Sequence, residues 1–124
     1  MDYLTGKQQW ALPDLYWPTT DNGNTYISHE AICVLNTSDQ VADIRLTLFY
    51  EDREPLLISN LSCPPMRTNH IRMDKLRDGQ GNPLPRGVGY SALLCSTVPV
   101  IVQYTRVDTT QPALALMTTI AYSM

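Results

Sequence analysis

The stretch that decides the fold class of this chain is VPVIVQYTRVD, residues 98–108. It begins with β-branched residues on both faces and ends with the polar residues Gln103, Arg106 and Asp108. This pattern predicts a strand that starts in a dry interior and finishes at a polar rim. We therefore expect the polar end of the strand to carry functional side chains.

Length and charge limit the architecture and the partners. The chain has 124 residues, 44% of them hydrophobic, which predicts a single domain over residues 1–124 with one core. The formal net charge is −3, and the nine Lys and Arg residues are scattered along the chain. Proteins that bind nucleic acid through phosphate contacts normally present a basic face. The charge pattern therefore argues against nucleic-acid binding.

Targeting and metal-binding patterns are absent from the sequence. No apolar run approaches the roughly 20 residues that span a bilayer, and the N-terminal residues lack the layout of a signal peptide. We therefore expect a cytoplasmic protein. The three cysteines, Cys33, Cys63 and Cys95, have no C-x-x-C spacing, which argues against a disulfide framework and against a zinc site. We predict neither a metal nor another cofactor.

The first half of the chain predicts short strands separated by turns. A strand from Lys7 to Leu12 is expected to end at Pro13. A second strand, Tyr26 to Leu35, is apolar on both faces, as expected inside a sandwich or at an interface. The turn cluster Asn36 to Gln40 predicts a hairpin with the alternating strand Ile44 to Tyr50.

The second half continues in the same way. Arg67 to Arg72 alternates polar residues and predicts a solvated edge strand, and Met73 to Leu76 predicts one helical turn. Arg77 to Gly87 is rich in glycine and proline and predicts a loop. Tyr90 to Ser96 predicts a buried strand that ends in a turn at Thr97, before the stretch quoted above.

A last strand is expected from about Leu116. With about eight short strands and no long amphipathic helix, the predicted fold class is all-β, an antiparallel β-sandwich. A small sandwich has one interior to fill, so strands that are apolar on both faces leave surface for another subunit. The sequence therefore predicts a homo-oligomer.

Two polar residues interrupt the apolar strand Tyr26 to Leu35. His29 and Glu30 are neighbours, and burying either side chain without a hydrogen-bond partner would cost free energy. One interpretation is a satisfied core histidine beside an ion-paired glutamate. The other is a pair that faces a ligand.

Further polar residues share strand faces because residues two apart point the same way. His70 and Arg72 share one face of their strand, as do Arg106 and Asp108, while Gln103 lies on the opposite face from Arg106. Arg106 is the strongest candidate for ligand contact, with Asp108 orienting it or binding the ligand itself. The alternative is that Arg106 and Asp108 pair with neighbours to hold an oligomer together.

Several blocks of the chain occur together in a fixed order. They are ISHE continuing to LN (27–36), FYEDREP (49–55), RTNHIR (67–72), and 98–108 continuing to TIAY (119–122). In content and order these blocks resemble the Anabaena sensory rhodopsin transducer family. The resemblance implies a cytoplasmic β-sandwich protein that forms a homotetramer, binds a small molecule such as a sugar, and signals to a membrane sensor or another partner. It also implies DNA association for some members.

The resemblance implies ten site residues, and their types suit a hydroxyl-rich or anionic ligand. Arginine offers a fixed fork of donors, carboxylates and amides accept from hydroxyls, and aromatic rings pack on a sugar face. The candidate ligand-binding residues are Trp10, His29, Glu30, Tyr50, Arg67, His70, Arg72, Gln103, Arg106 and Asp108.

Two functional classes compete for these residues. One is a binding and signalling module without enzymatic activity. The other is a small β-sandwich enzyme for sugar-like substrates, with His29 or His70 as general base beside Glu30 or Asp108. The sequence contains no G-x-S-x-G, H-E-x-x-H or phosphate-loop motif. We therefore predict a binding module, not an enzyme.

Overall fold

The computed structural model describes residues 5–124, which form eight strands and one 3₁₀ turn at Met73–Lys75. The strands are β1 (Lys7–Tyr16), β2 (His29–Asn36), β3 (Ala42–Phe49), β4 (Leu56–Cys63), β5 (Arg67–Arg72), β6 (Gly89–Asp108), β7 (Ala115–Ile120) and β8 (Tyr122–Ser123). In the part of the chain thus described, no helix is long and apolar enough to cross a membrane.

The strand β6 belongs to two sheets. Its first half pairs with β1 and β3, and its second half pairs with β2 and β7. The first sheet has the order β4-β3-β6-β1-β8, and the second has the order β5-β2-β6-β7. Every pairing is antiparallel. The predicted all-β antiparallel architecture is confirmed.

One hydrophobic core lies between the inner faces of the two sheets. Alternation along each strand sends every second side chain inward, so short apolar strands can fill a shared interior. The fully buried residues of the first sheet include Leu46, Leu48 and Leu94, and those of the second include Ile32, Val34 and Val102.

The continuous strand β6 corrects the predicted turn at Thr97. The strand runs for 20 residues, and its pairing passes from one sheet to the other near Pro99. Ser96 pairs with β3 and Val100 with β1 in the first sheet, whereas Ile101 already pairs with β2 in the second. Proline has no N–H to give to a ladder, so it fits at the crossing between the sheets.

Two other predictions about connectivity are wrong. The turn at residues 36–40 does not close a hairpin, because β2 lies in the second sheet and β3 in the first. The first strand does not end at Pro13 but continues to Tyr16. Its register shifts between Leu12 and Leu15, and such a bulge lets a proline remain in a strand. The predicted edge position of β5 is confirmed, since β5 pairs with β2 alone among the described strands.

Candidate functional site

Glu30 is the one acidic or basic side chain that is fully buried in residues 5–124, with an exposed fraction of 1%. It lies on the inner face of β2, where its carboxylate accepts three hydrogen bonds. Oε1 accepts from the hydroxyl of Tyr104 at 2.7 Å and from the backbone N–H of Tyr16 at 2.9 Å. Oε2 accepts from the hydroxyl of Tyr90 at 2.6 Å. Phenols and backbone therefore satisfy Glu30, in place of the ion pair that one sequence interpretation predicted.

Burial raises the pKa of both kinds of acid in this cluster, the carboxyl of Glu30 and the two phenols. Desolvation raises the pKa of Glu30 above its ordinary value, although the hydrogen bonds from Tyr90 and Tyr104 oppose that shift. Desolvation, together with the nearby charge of Glu30, also raises the pKa of both tyrosines. The two phenols therefore stay protonated and serve as donors to the carboxylate.

Arg106 lies beside Glu30 as its partner in the β2–β6 register. Its Nε donates to the hydroxyl of Tyr104 at 3.1 Å, and its guanidinium lies 5.7 Å from the ring centre of Tyr16. Nη2 is buried, is 3.9 Å from Oδ1 of Asp14, and finds no hydrogen-bond acceptor among residues 5–124. A buried donor without an acceptor is costly, so this atom is suited to hydrogen-bond a ligand.

Tyr50 supplies a second donor of this kind. Its hydroxyl is buried and has no hydrogen-bond partner in the described part of the chain. Its ring stacks on Tyr90 with centroids 5.3 Å apart, and the guanidinium of Arg53 lies 5.3 Å from its ring centre. Burial raises the pKa of Tyr50 to about 12, so its hydroxyl keeps its proton at neutral pH.

Two clefts meet at Asp14, each of about 360 Å³. We call the first the β7 cleft; its walls include Asp14, Leu15, Tyr104, Met117, Thr119, Ile120 and Tyr122. We call the second the Tyr50 cleft; its walls include Pro13, Asp14, Phe49, Tyr50, Glu51 and Tyr90. The two phenols that bind Glu30 thus reach different clefts, so the buried carboxylate lies between them.

The ten predicted residues do not form one site. Four of them lie on the outer face of the second sheet: His29, His70, Arg72 and Gln103. The strand register shows this, because His70 and Gln103 both pair with Cys33, and Arg72 pairs with Ala31, on the same face of β2 as His29. Glu30 and Arg106 lie on the inner face. Nδ1 of His29 is 2.9 Å from the carbonyl oxygen of Ile27, and His70 is exposed. The acid–base pair of the enzyme hypothesis would therefore need groups on opposite faces of a sheet.

Other predicted residues hold the structure together. Trp10 is buried in the first sheet, where its Nε1 donates to the carbonyl of Val100 at 3.1 Å. Arg72 forms a bidentate ion pair with Asp74, with donor–acceptor distances of 2.8 and 2.9 Å. Asp108 accepts from the backbone N–H and the hydroxyl of Thr110, which lowers its pKa. These contacts explain the three residues without a ligand.

The arginines that a nucleic acid would require are also separated. Arg67 is exposed at the start of the edge strand β5, and Arg72 is turned to the outer face of the same sheet. Arg106 lies on the inner face, two strands away. The fold therefore does not assemble these three side chains into one basic patch.

Sequence reasoning missed four residues of the site, namely Asp14, Tyr16, Tyr90 and Tyr104. The available signal was chemical, because a buried carboxylate needs donors and a buried tyrosine needs a partner for its hydroxyl. Within residues 5–124 no group of three His, Cys, Asp or Glu side chains could hold a metal ion.

The chain is similar to one known protein family and to solved structures. The sequence profile of the family described as Anabaena sensory rhodopsin transducer matches residues 5–123. The solved structure of Thermotoga maritima 1070 is similar, with a TM-score of 0.86 and 37% identity, over 98% of this chain and 97% of that one. The Anabaena sensory rhodopsin transducer itself is similar, with a TM-score of 0.71 and 35% identity, over 84% of this chain and 90% of the other. No curated protein sequence matches significantly.

Proposed function

Because the chain belongs to the Anabaena sensory rhodopsin transducer family, we propose that it is a signalling module that binds a small molecule and relays binding to a protein partner. The observation that carries the ligand proposal is Nη2 of Arg106. This donor is buried, has no acceptor among residues 5–124, and lies 3.9 Å from Oδ1 of Asp14, a residue that lines the β7 cleft. Arg106 itself lies behind that wall, so a ligand in the cleft would reach Nη2 at Asp14.

The charges around Arg106 favour a neutral, hydroxyl-rich ligand over an anion. A hydroxyl can accept from Nη2 and donate to the carboxylate of Asp14, which is 3.9 Å away. An anion at the same place would face the carboxylates of both Asp14 and Glu30. Met117 and Tyr122 add apolar wall against which the C–H face of a sugar can pack. We therefore propose a sugar-like ligand.

A thermal-shift screen with neutral sugars and with sugar phosphates tests this proposal. A ligand at 100 times its Kd adds about 2.7 kcal/mol of stability, which corresponds to a rise in Tm of roughly 10 °C for a domain of this size. We expect neutral sugars to raise Tm and the Arg106→Ala variant to lose the rise. The matched control is Arg45→Ala, because Arg45 is exposed on β3 and lies away from the β7 cleft. If Arg106→Ala responded to every active sugar as the wild type does, this site would be wrong.

We further propose that the protein works in the cytoplasm as a homotetramer. The exposed apolar residues of the second sheet support an oligomer, since Leu35, Leu116 and Ile120 are exposed by 42%, 74% and 62%. Light scattering at micromolar concentration should return four times the chain mass of 14.0 kDa. A mass of 14.0 kDa would refute the assembly.

For the partner, we propose a membrane sensor such as a rhodopsin. The support is the 35% identity with the Anabaena sensory rhodopsin transducer. Calorimetric titration against a detergent-solubilised sensory rhodopsin tests this step. Saturable heat with a fixed stoichiometry is expected, and its absence in light and in darkness would direct the search to another sensor.

A further inference from the structure

The edge strand β7 exposes an unusual amount of apolar surface. All six of its residues are exposed, and β6 is the one strand it pairs with in residues 5–124. Leu116 and Ile120 are exposed by 74% and 62%, and Tyr122 in the following strand by 70%. Together with Leu114 and Met117, these side chains form what we call the β7 strip.

The β7 strip has none of the features that keep edge strands apart from other chains. Natural edge strands are protected by charged side chains, prolines or bulges, or they are covered. From Thr109 to Met124 the sequence contains no charged residue, and β7 contains no proline and pairs with β6 without a register shift. Such a strand is expected to be covered in the working protein.

The lack of charged residues on the β7 strip allows a second copy of this acidic chain to serve as the cover. Each copy carries a net charge of −3, so two copies repel each other wherever their acidic surfaces meet. The β7 strip is a neutral surface on which that repulsion is smallest. Its five large apolar side chains expose on the order of several hundred Å², a substantial part of the ~800 Å² that each partner buries in a standard interface.

The β7 strip is also a wall of the β7 cleft. Met117 and Thr119 point to the inner side of the sheet, level with Arg106 and Tyr104, and both line the cleft. Beyond them the sheet ends, because β7 is its edge. A neighbouring chain placed along β7 would extend this wall beside the free donor of Arg106.

We infer that a second copy of this chain covers the β7 strip and completes the open wall of the β7 cleft, so that the ligand site lies at a subunit interface. This inference rests on the proposed homotetramer, and it adds the contact surface and the link to the cleft. Ligand binding and assembly are then thermodynamically coupled, because both involve the same wall.

Leu116→Lys tests the inference, since Leu116 points to the outer face and its substitution leaves the inner wall of the cleft unchanged. A lysine buried in an apolar contact without a partner should weaken association on the order of 100-fold. We expect light scattering at micromolar concentration to show a mass for Leu116→Lys that is at most half that of the wild-type assembly. The control is Leu57→Lys on β4, an edge strand of the first sheet, where Leu57 is exposed by 56%; its mass should equal that of the wild type.

Hydrogen exchange of the wild-type chain gives a second readout that does not depend on how a variant folds. Dilution below the dissociation constant of the oligomer should accelerate exchange of the amides in β7 while those of β3 stay protected. An oligomeric wild type whose mass is unchanged by Leu116→Lys, or whose β7 amides do not respond to dilution, would overturn the inference and leave the proposed homotetramer intact. A wild type that is monomeric throughout would overturn both.

Discussion

The hydroxyl of Tyr104 donates a hydrogen bond of 2.7 Å to Oε1 of Glu30. Tyr104 belongs to the half of β6 that lies in the second sheet, whereas Tyr90, which donates to Oε2, belongs to the half in the first sheet. A single carboxylate on β2 thus ties together the two halves of a strand that crosses between sheets. Its hydrogen bonds compensate for the burial of a charged group in a small core.

Glu30→Gln should change the way stability depends on pH. Burial raises the pKa of Glu30 in the folded state above the ordinary value of 4.5, so the folded protein binds this proton more tightly than the unfolded chain does. The contribution of Glu30 to stability is therefore fully present below pH 4.5 and is lost as pH rises through the raised pKa. Glutamine does not titrate, so the Tm of the variant minus that of the wild type should increase across this window.

Thermal melts from about pH 4 to about pH 8 measure this difference. Glu51→Gln is the matched control, because it makes the same substitution at a carboxylate that is exposed at the turn after β3. A difference for Glu30→Gln that does not change with pH would contradict the assignment of a raised pKa.

Tyr90→Phe should destabilise the fold by about 1 to 3 kcal/mol, because Oε2 of Glu30 would lose its donor while staying buried. The phenylalanine ring still fits and can stack on Tyr50, so the effect isolates the hydroxyl. Tyr26→Phe is the control, since Tyr26 is exposed by 65% and should change stability little. Equal denaturation midpoints for the two variants would show that the hydrogen bond contributes nothing.

Arg86→Ala should loosen two loops at once. The Nε of Arg86 donates to the carbonyl of Pro18 at 2.8 Å, its Nη2 lies 2.7 Å from Oδ1 of Asp21, and its guanidinium is 4.8 Å from the ring centre of Trp17. We expect a loss of about 1 kcal/mol, a shift in tryptophan emission, and faster proteolysis between residues 77 and 88.

Arg53→Ala is the matched arginine control for this loop contact. Arg53 pairs with its exposed sequence neighbour Asp52, so its removal breaks no contact between distant segments. If both variants were cleaved at the wild-type rate, Arg86 would not be what holds the loop.

Gly6→Ala should disrupt the start of β1. Gly6 has a φ of +88°, and a Cβ atom there would collide with the carbonyl group of Val100. We expect a loss of at least about 2 kcal/mol in chemical denaturation. Gly23→Ala separates the collision from the backbone strain, because Gly23 has a φ of +69° and open space around it. Similar losses for both variants would mean that the contact with Val100 is unimportant.

Much of the fold was predictable because the alternation of polar and apolar residues along a strand shows which of its faces is buried. The alternation around Glu30 places it with Ile32 and Val34, and all three are buried on the inner face of β2. The polar pattern of residues 67–72 correctly indicates an edge strand. The proline and glycine content of residues 77–87 correctly indicates a loop.

The candidate site was predictable only in part. Residue chemistry singled out Glu30 and Arg106, and the family resemblance added Tyr50. The fold brings these three residues close together. The same reasoning added His29 and Gln103, which share the strands of Glu30 and Arg106 but point to the other side of the sheet. Strand alternation separates such neighbours, and their contacts depend on which face the core occupies.

The sequence by itself determined the all-β class and the inward and outward faces of most strands, because these properties depend on residues close together along the chain. It also determined the family, because the matching blocks and their order are read directly from the sequence. The tertiary structure decided that β6 crosses between the sheets at Pro99 and that Glu30 meets Tyr90 and Tyr104. Those two tyrosines are 60 and 74 residues away from Glu30 in sequence. Contacts at such separations are set by how strands pair and sheets pack, and no local pattern specifies that pairing.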